Sequence, residues 1–307
     1  MTLAMVFPGQ GSQSAGMQSE LADSFPVVQE TYKQASEVLG YDLWDLVQND
    51  AGGKLGQTVV TQPAMLTAGI AAWRCWEAGG GGAPAILAGH SLGEYTALVV
   101  AEALQFADAI ALVQRRAELM QEAVPAGSGA MAAILGLDDD VVIKVCEAAA
   151  AGEVVSAVNF NSPGQVVIAG NKSAVERAAE GAKEAGARRA LMLSVSVPSH
   201  CALMQPAAEQ LAISLAEVPI RATRMPVISN VDVEPYGDAD DIRSGLQRQL
   251  HMPVRWVETV QRLKAEGATS LVECGPGKVL AGLCKRIDRG LTANYIDTPE
   301  SLDKAIA

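Results

Sequence analysis

Ala85-Ile86-Leu87-Ala88-Gly89-His90-Ser91-Leu92-Gly93-Glu94 is the stretch from which the fold can be read. Four apolar residues form a short buried strand, the chain breaks at Gly89, and an apolar stretch over 92–103 then continues as a helix. Gly89-x-Ser91-x-Gly93 fits the nucleophile elbow, a sharp strand-to-helix turn that lifts a serine hydroxyl above the end of a strand. Glycines two positions either side of the serine permit that turn. The helix start adds free N–H groups and the positive end of a dipole, both suited to an oxyanion. The plain alternative is a tight turn carrying an idle serine. The placement between a buried strand and a helix favours chemistry.

Working outward, Leu3–Phe7 reads as a first strand that breaks into the glycine-rich turn Pro8-Gly9-Gln10-Gly11. Helices are expected over 62–78, where proline suits a first turn, and over 106–122, 241–249 and 253–266. Further strands are expected over 226–229, 270–273 and 294–296. Strands alternating with helices imply a parallel sheet covered on both faces. Residues 129–195 follow a different order. A strand over 129–136, a helix over 138–150, a hairpin of 154–159 with 165–169, a helix over 172–185 and a strand over 189–195 spell β-α-β-β-α-β, the ferredoxin-like order. The expected fold is therefore α/β. Residues 1–126 and 197–307 form a discontinuous large domain, and 127–196 are inserted as a small one.

Composition removes several classes of function. With 49% hydrophobic and 19% charged residues over a length of 307, disorder is excluded. No apolar run reaches the roughly 18 residues of a membrane span. The opening Met-Thr-Leu-Ala-Met-Val-Phe lacks the basic start of a signal peptide, so a soluble, cytoplasmic protein is expected. A net charge of −12 argues against nucleic acid as a partner. The charge is uneven: residues 181–290 hold 14 Lys+Arg against 12 Asp+Glu, a balance of +2, so an acidic partner meets least repulsion there. Cys75, Cys146, Cys201, Cys274 and Cys284 form no C-x-x-C pair, and with three histidines a metal site is not expected.

A serine nucleophile needs a base. His90 adjoins Ser91 across a sharp turn, which suits a supporting role. His200 follows a strand and Pro198, while His251 precedes a helix; spacing favours His200 only mildly. Arg115 and Arg116 lie on one helix about 100° apart, so at most one faces a given pocket, and the residues alone do not choose between them.

At this point a set of ordered motifs becomes specific: FPGQGSQ at 7–13, TQPAML at 61–66, GHSLGE at 89–94, RRAELMQEAVPAG at 115–127, SVPSHCALM at 196–204, PVISNV at 226–231, QRQLHMPVRW at 247–256 and VECGPG at 272–277. Over nearly its whole length the chain resembles the malonyl-CoA:acyl carrier protein transacylases of the dissociated bacterial fatty-acid synthases. The resemblance implies an α/β hydrolase-like large domain with a ferredoxin-like insert. It implies transfer of malonyl from malonyl-CoA to the phosphopantetheine thiol of acyl carrier protein through a malonyl-serine, without metal or tightly bound cofactor, by a monomer.

Position by position, the resemblance makes Ser91 the nucleophile and His200 its base. The backbone N–H groups of Gln10 and Leu92 become the oxyanion hole, and Arg116 the partner of the malonyl carboxylate. Gln249 orients His200 through its backbone carbonyl, and Gln62, His90 and Asn230 belong to the substrate pocket. Ala117 stands where the family most often has glycine, and His251 beside Gln249 would bring a titrating group to the pocket rim. GPG at 275–277 lacks the spacing of a phosphate loop. Lys278, Lys285, Arg286 and Arg289 offer a basic face for an acidic carrier protein; the plain alternative is a helix with cations near its C-terminus. Competing functions are an esterase or thioesterase using His251, a polyketide acyltransferase, and a carrier-docking scaffold with a vestigial site.

Overall fold

The computed structural model describes residues 2–125, 127–195 and 197–307. In chain order the strands are β1 (Leu3–Phe7), β2 (Ile86–Gly89), β3 (Gly129–Leu135), β4 (Val155–Ser162), β5 (Gln165–Asn171), β6 (Arg189–Met192), β7 (Val227–Ile228), β8 (Ser270–Cys274) and β9 (Thr292–Ile296). Among the described residues they form two sheets.

The first sheet runs β7-β2-β1-β8-β9 with every pairing parallel. Its strands read as unbroken apolar runs because both faces are covered. Met5, Phe7, Leu87 and Val272 pack on one face against the helices Thr58–Ala78 and Phe106–Ala123. Ala4, Val6, Ile86, Ala88 and Leu271 pack on the other against Trp256–Ala265 and Val279–Ile287. Alternate residues of each strand thus serve two cores.

The second sheet runs β4-β5-β3-β6 and is antiparallel throughout. The helices Asp139–Ala150 and Lys172–Glu184 cover one face through Ala132, Ile134, Val166 and Ile168. The element order over this stretch is the β-α-β-β-α-β expected. The opposite face carries Met131, Val167 and Ala169, which pack with Cys201. One edge is tied to the first sheet's unit: Val254 N–H donates to Val158 O at 2.8 Å, and Phe160 N–H donates to Val254 O at 3.0 Å. The β4–β5 register shifts twice beside this tie, between Ala157 and Asn159 and between Phe160 and Ser162. Such bulges re-aim side chains.

Several expectations require correction. The helix expected over 62–78, opening with Gln62-Pro63, runs from Thr58 to Ala78 with the proline inside. Pro63 cannot donate to the Val59 carbonyl, and Val59 is only partly buried, so the missing bond costs little there. The strand expected over 189–195 ends at Met192, and the chain beyond it turns along the cavity described below. The helices Val27–Leu39, Leu43–Asn49 and Gln205–Glu217 were not anticipated. The domain limits placed at Ala126 and Ser196 fall outside the described residues.

Candidate active site

The loops that follow β1, β2 and β7 meet at the C-terminal edge of the parallel sheet, where such folds gather their sites. Backbone crowding explains the glycines. A Cβ on Gly9 would lie 2.5 Å from His90 O, one on Gly89 would lie 1.9 Å from Gly93 C, and one on Gly93 would lie 2.0 Å from Phe7 O. No side chain fits at these positions. Between them Ser91 takes a left-handed φ of 50°. A non-glycine residue holds that conformation only where its surroundings fix it. Here Asn230 does so: its Oδ1 accepts from Ser91 N–H at 2.7 Å and its Nδ2 donates to Gly89 O at 2.6 Å.

His200 also sits at a left-handed φ, of 64°. The helix Ala239–Gln249 holds it through its end, where carbonyls lack helical partners. His200 N–H donates to Leu250 O at 2.9 Å, and Nδ1 donates to Gln249 O at 2.6 Å. That second bond places the proton on Nδ1 and leaves Nε2 with a lone pair, 2.7 Å from Ser91 Oγ. Burial, reinforced by the nearby Arg116 charge, pushes the imidazole down to about 3, so the ring is neutral at physiological pH and its Nε2 lone pair is free to accept a proton. The pair can deprotonate the serine. Gln10 and Leu92 line the same cavity, and their backbone N–H groups make no hydrogen bond to protein among the described residues.

Arg116 is 1% exposed and projects from Phe106–Ala123 into this cavity, whereas Arg115 points outward to Glu118 and Glu122. Two neutral carboxamides hold Arg116: Nη1 donates to Gln62 Oε1 at 2.7 Å and Nη2 to Gln249 Oε1 at 3.0 Å. The Tyr95 ring lies 5.5 Å from the guanidinium, and Nε has no partner among the described residues. A buried cation whose direct hydrogen bonds go only to neutral groups is costly. Glu94 is the buried carboxyl that acts on it from beyond hydrogen-bond contact, and an anionic ligand would supply a direct counter-charge. The cavity, about 260 Å³, is closed from the other side by the antiparallel sheet through Met131, Ala133, Asn159, Asn161 and Val167, with Leu193 and Val195 beyond β6.

The remaining sequence candidates separate. Gln62 and His90 line the cavity; His90 Nε2 lies 2.8 Å from Asn161 Oδ1, with its ring against Trp256. Asn230 does not line it, because its side chain is fully buried beneath the elbow. His251 is partly exposed and is not among the lining residues, so it brings no titrating group to the rim. The basic face divides. Lys278 stands over Tyr295 at 5.7 Å, Lys285 opens on a hollow beside Lys304, and Arg289 is exposed. Arg286 faces the other way, donating to Gln165 Oε1 at 2.9 Å, and Gln165 lines the cavity.

Sequence reasoning missed three features. Arg188 and Arg189 join Arg286 around a hollow that shares Ala133 and Gln165 with the cavity. Asn159 and Asn161 reach the cavity from a bulged strand, which no periodicity reveals. Glu94 is fully buried, and burial lifts its carboxyl to about 7 against the hydrogen bonds and the Arg116 charge that favour ionisation. A charged residue within the apolar helix Gly93–Val100 was the available signal. Among the described residues no group of three or more His, Cys, Asp or Glu side chains is placed to hold a metal ion.

Comparison with known proteins matches residues 4–291 to the acyl transferase domain family. The chain is similar to the malonyl CoA-acyl carrier protein transacylase of Escherichia coli strain K12, 56% identical over 99% of this chain and 98% of that one. It is similar to the structure of an acyl carrier protein S-malonyltransferase from Vibrio cholerae, at a TM-score of 0.96, 57% identity and 99% of each chain. It is also similar to a malonyl-transacylase solved in complex with a type II PKS acyl-carrier protein, at a TM-score of 0.98, 54% identity, 100% of this chain and 99% of that one.

Proposed function

The chain belongs to the acyl transferase domain family, and from that premise we propose that it moves the malonyl group of malonyl-CoA onto the phosphopantetheine thiol of an acyl carrier protein. It is an acyltransferase of the [acyl-carrier-protein] S-malonyltransferase type. The observation that carries the assignment is the pairing, in one cavity, of a serine 2.7 Å from a neutral histidine with a buried arginine that has no direct carboxylate partner.

Ser91 Oγ attacks the thioester carbonyl while His200 Nε2 takes its proton. The N–H groups of Gln10 and Leu92 receive the oxyanion, the C–S bond breaks, and His200 returns the proton to the leaving CoA thiolate. The carrier thiol then attacks the malonyl-serine by the same route in reverse. Gln249 stands where a triad carboxylate would: its carbonyl fixes the tautomer of His200 without a charge. Arg116 receives the malonyl carboxylate, presenting hydrogens not engaged by Gln62 and Gln249. His90 and Asn230 act one step removed, through Asn161 and the elbow backbone. The reaction as written needs no metal or tightly bound cofactor.

We further propose a hydrolase-like unit, 1–126 and 197–307, with a ferredoxin-like unit of 127–196 inserted, acting as a cytoplasmic monomer. Carrier docking is assigned to Arg286 together with Arg188 and Arg189, at the mouth of the cavity, in place of the broader face of Lys278, Lys285, Arg286 and Arg289. An esterase using His251 is not favoured, because His200 is the histidine on Ser91. Fatty-acid and polyketide carriers present the same thiol. Intact-mass spectrometry after mixing with malonyl-CoA alone tests the assignment. A stable malonyl adduct is expected, absent from Ser91→Ala; CoA release beyond one turnover without an adduct would make the protein a hydrolase.

A further inference from the structure

A single carboxamide connects the nucleophile, the base and the arginine of the site. Gln249 Nε2 donates to Ser91 O at 2.9 Å and to Glu94 Oε2 at 2.7 Å; its Oε1 accepts from Arg116 Nη2 at 3.0 Å; its backbone carbonyl holds His200 Nδ1 at 2.6 Å. An amide can rotate half a turn and exchange its donor with its acceptor. In the exchanged state the NH₂ would confront the Arg116 guanidinium, donor against donor, and Arg116 would keep only Gln62 of the two contacts that aim it. Ser91 O and Glu94 Oε2 both demand a donor, so the pair fixes the orientation seen.

We propose that Glu94 is a positioning residue for acyl-group selectivity: its carboxylate oxygen locks the Gln249 carboxamide so that Arg116 stays aimed at the acyl carboxylate. The inference rests on the malonyl reading of Arg116 given above. Glu94 projects from the first turn of Gly93–Val100, and three donors converge on it. Tyr236 O–H meets Oε1, while Gln249 N–H and Asn230 N–H, the latter at 3.2 Å, meet Oε2. Asn230 and Gln249 each also bind the elbow, so Glu94 joins the two supports that hold Ser91 in its left-handed conformation. The charged and titratable groups that face Glu94 are Arg116 from Phe106–Ala123, Tyr236 from the segment after β7, and Tyr95 on its own helix. A carboxylate serving only as a helix N-terminal anion would need none of these contacts.

The experiment compares second-order rates of Ser91 acylation by malonyl-CoA and acetyl-CoA, and reads their ratio. Glu94→Gln retains an acceptor oxygen at the Oε2 position and removes the charge. Glu94→Asp retains the charge and withdraws it by one methylene from Gln249. Positioning predicts that Glu94→Asp lowers the malonyl-to-acetyl ratio about tenfold while Glu94→Gln holds it within about threefold of wild type. The reverse order would make Glu94 a counter-ion of Arg116 and overturn the proposal. Equal loss in both, or no loss in either, would reduce Glu94 to a packing residue and overturn it also. Arg116→Ala in the same assay separates the premise: if the ratio survives that substitution, the reading of Arg116 fails whatever Glu94 does.

Discussion

On the parallel-sheet side of the cavity every proposed reacting group is fixed by hydrogen bonds to buried partners: Ser91 by Asn230, His200 by Gln249 and Leu250, Arg116 by Gln62 and Gln249. On the antiparallel-sheet side Met131, Ala133, Val167, Leu193 and Val195 present mostly apolar surface, and of the polar groups there Asn161 reaches across to His90 while Gln165 accepts from Arg286. The difference teaches a division of labour. One wall is pre-organised for bond making, with the strain of two left-handed residues offset by fixed donors and acceptors. The other shapes the space and receives what is brought to it. Substitutions on the first wall should change chemistry or selectivity, and substitutions at the mouth of the second should change only the encounter with the carrier.

His200→Ala is the most severe test of the first wall in which the nucleophile remains. Loss of the base should slow Ser91 acylation on the order of 10³-fold for malonyl-CoA and acetyl-CoA alike. His251→Ala should leave both rates near wild type. Single-turnover acylation followed by mass measures this directly, and a collapse in His251→Ala with activity retained in His200→Ala would reverse the assignment of the base.

Arg116→Ala comes next, and acts on one substrate only. Removing a charge-assisted contact in a buried site should cost malonyl transfer about 2–4 kcal/mol. Acetyl-CoA has no carboxylate to lose, so its transfer should change little or rise. Arg115→Ala should alter neither, since Arg115 is engaged with Glu118 and Glu122 on the surface. Equal losses for both acyl groups in Arg116→Ala would mean that the residue supports the fold and not the carboxylate.

The two walls also differ in how far the sequence discloses them. The elbow is legible because backbone crowding at Gly89 and Gly93 admits one residue type, and because a buried strand and an apolar helix flank it. Its base is less legible. His200 and His251 look alike along the chain, and what separates them is the pair of carbonyls ending Ala239–Gln249, a tertiary contact to a residue 49 positions away. The choice between Arg115 and Arg116 came from family resemblance, since a helix surface offers both. The other wall was nearly silent. Bulges in β4 undo the alternation that would have marked Asn159 and Asn161 as facing the cavity, and Arg188 and Arg189 share a hollow with Arg286 only once β6 has paired with β3. Lys285 and Arg286 show the same limit in reverse: adjacent in sequence, they face different hollows.

That divergence supplies the smallest effect and the sharpest test of the second wall. A chain of net charge −12 would repel an acidic carrier as a whole, so docking on the proposed face would depend on local cations, and their contribution would be an encounter effect sensitive to salt. Arg286→Glu combined with Arg189→Glu should raise the KM for carrier protein about 3–10-fold and flatten its dependence on ionic strength. Acylation of Ser91 by malonyl-CoA should fall far less than under Arg116→Ala, because neither arginine touches the serine or Arg116. Lys285→Glu, one residue away but turned toward Lys304, should leave the carrier KM unchanged. If Lys285→Glu instead carries the effect, the carrier approaches across the Val279–Ile287 helix from the β9 side. If the acylation step falls as far as the transfer step, the arginine hollow binds the CoA donor, and the two walls do not divide encounter from chemistry.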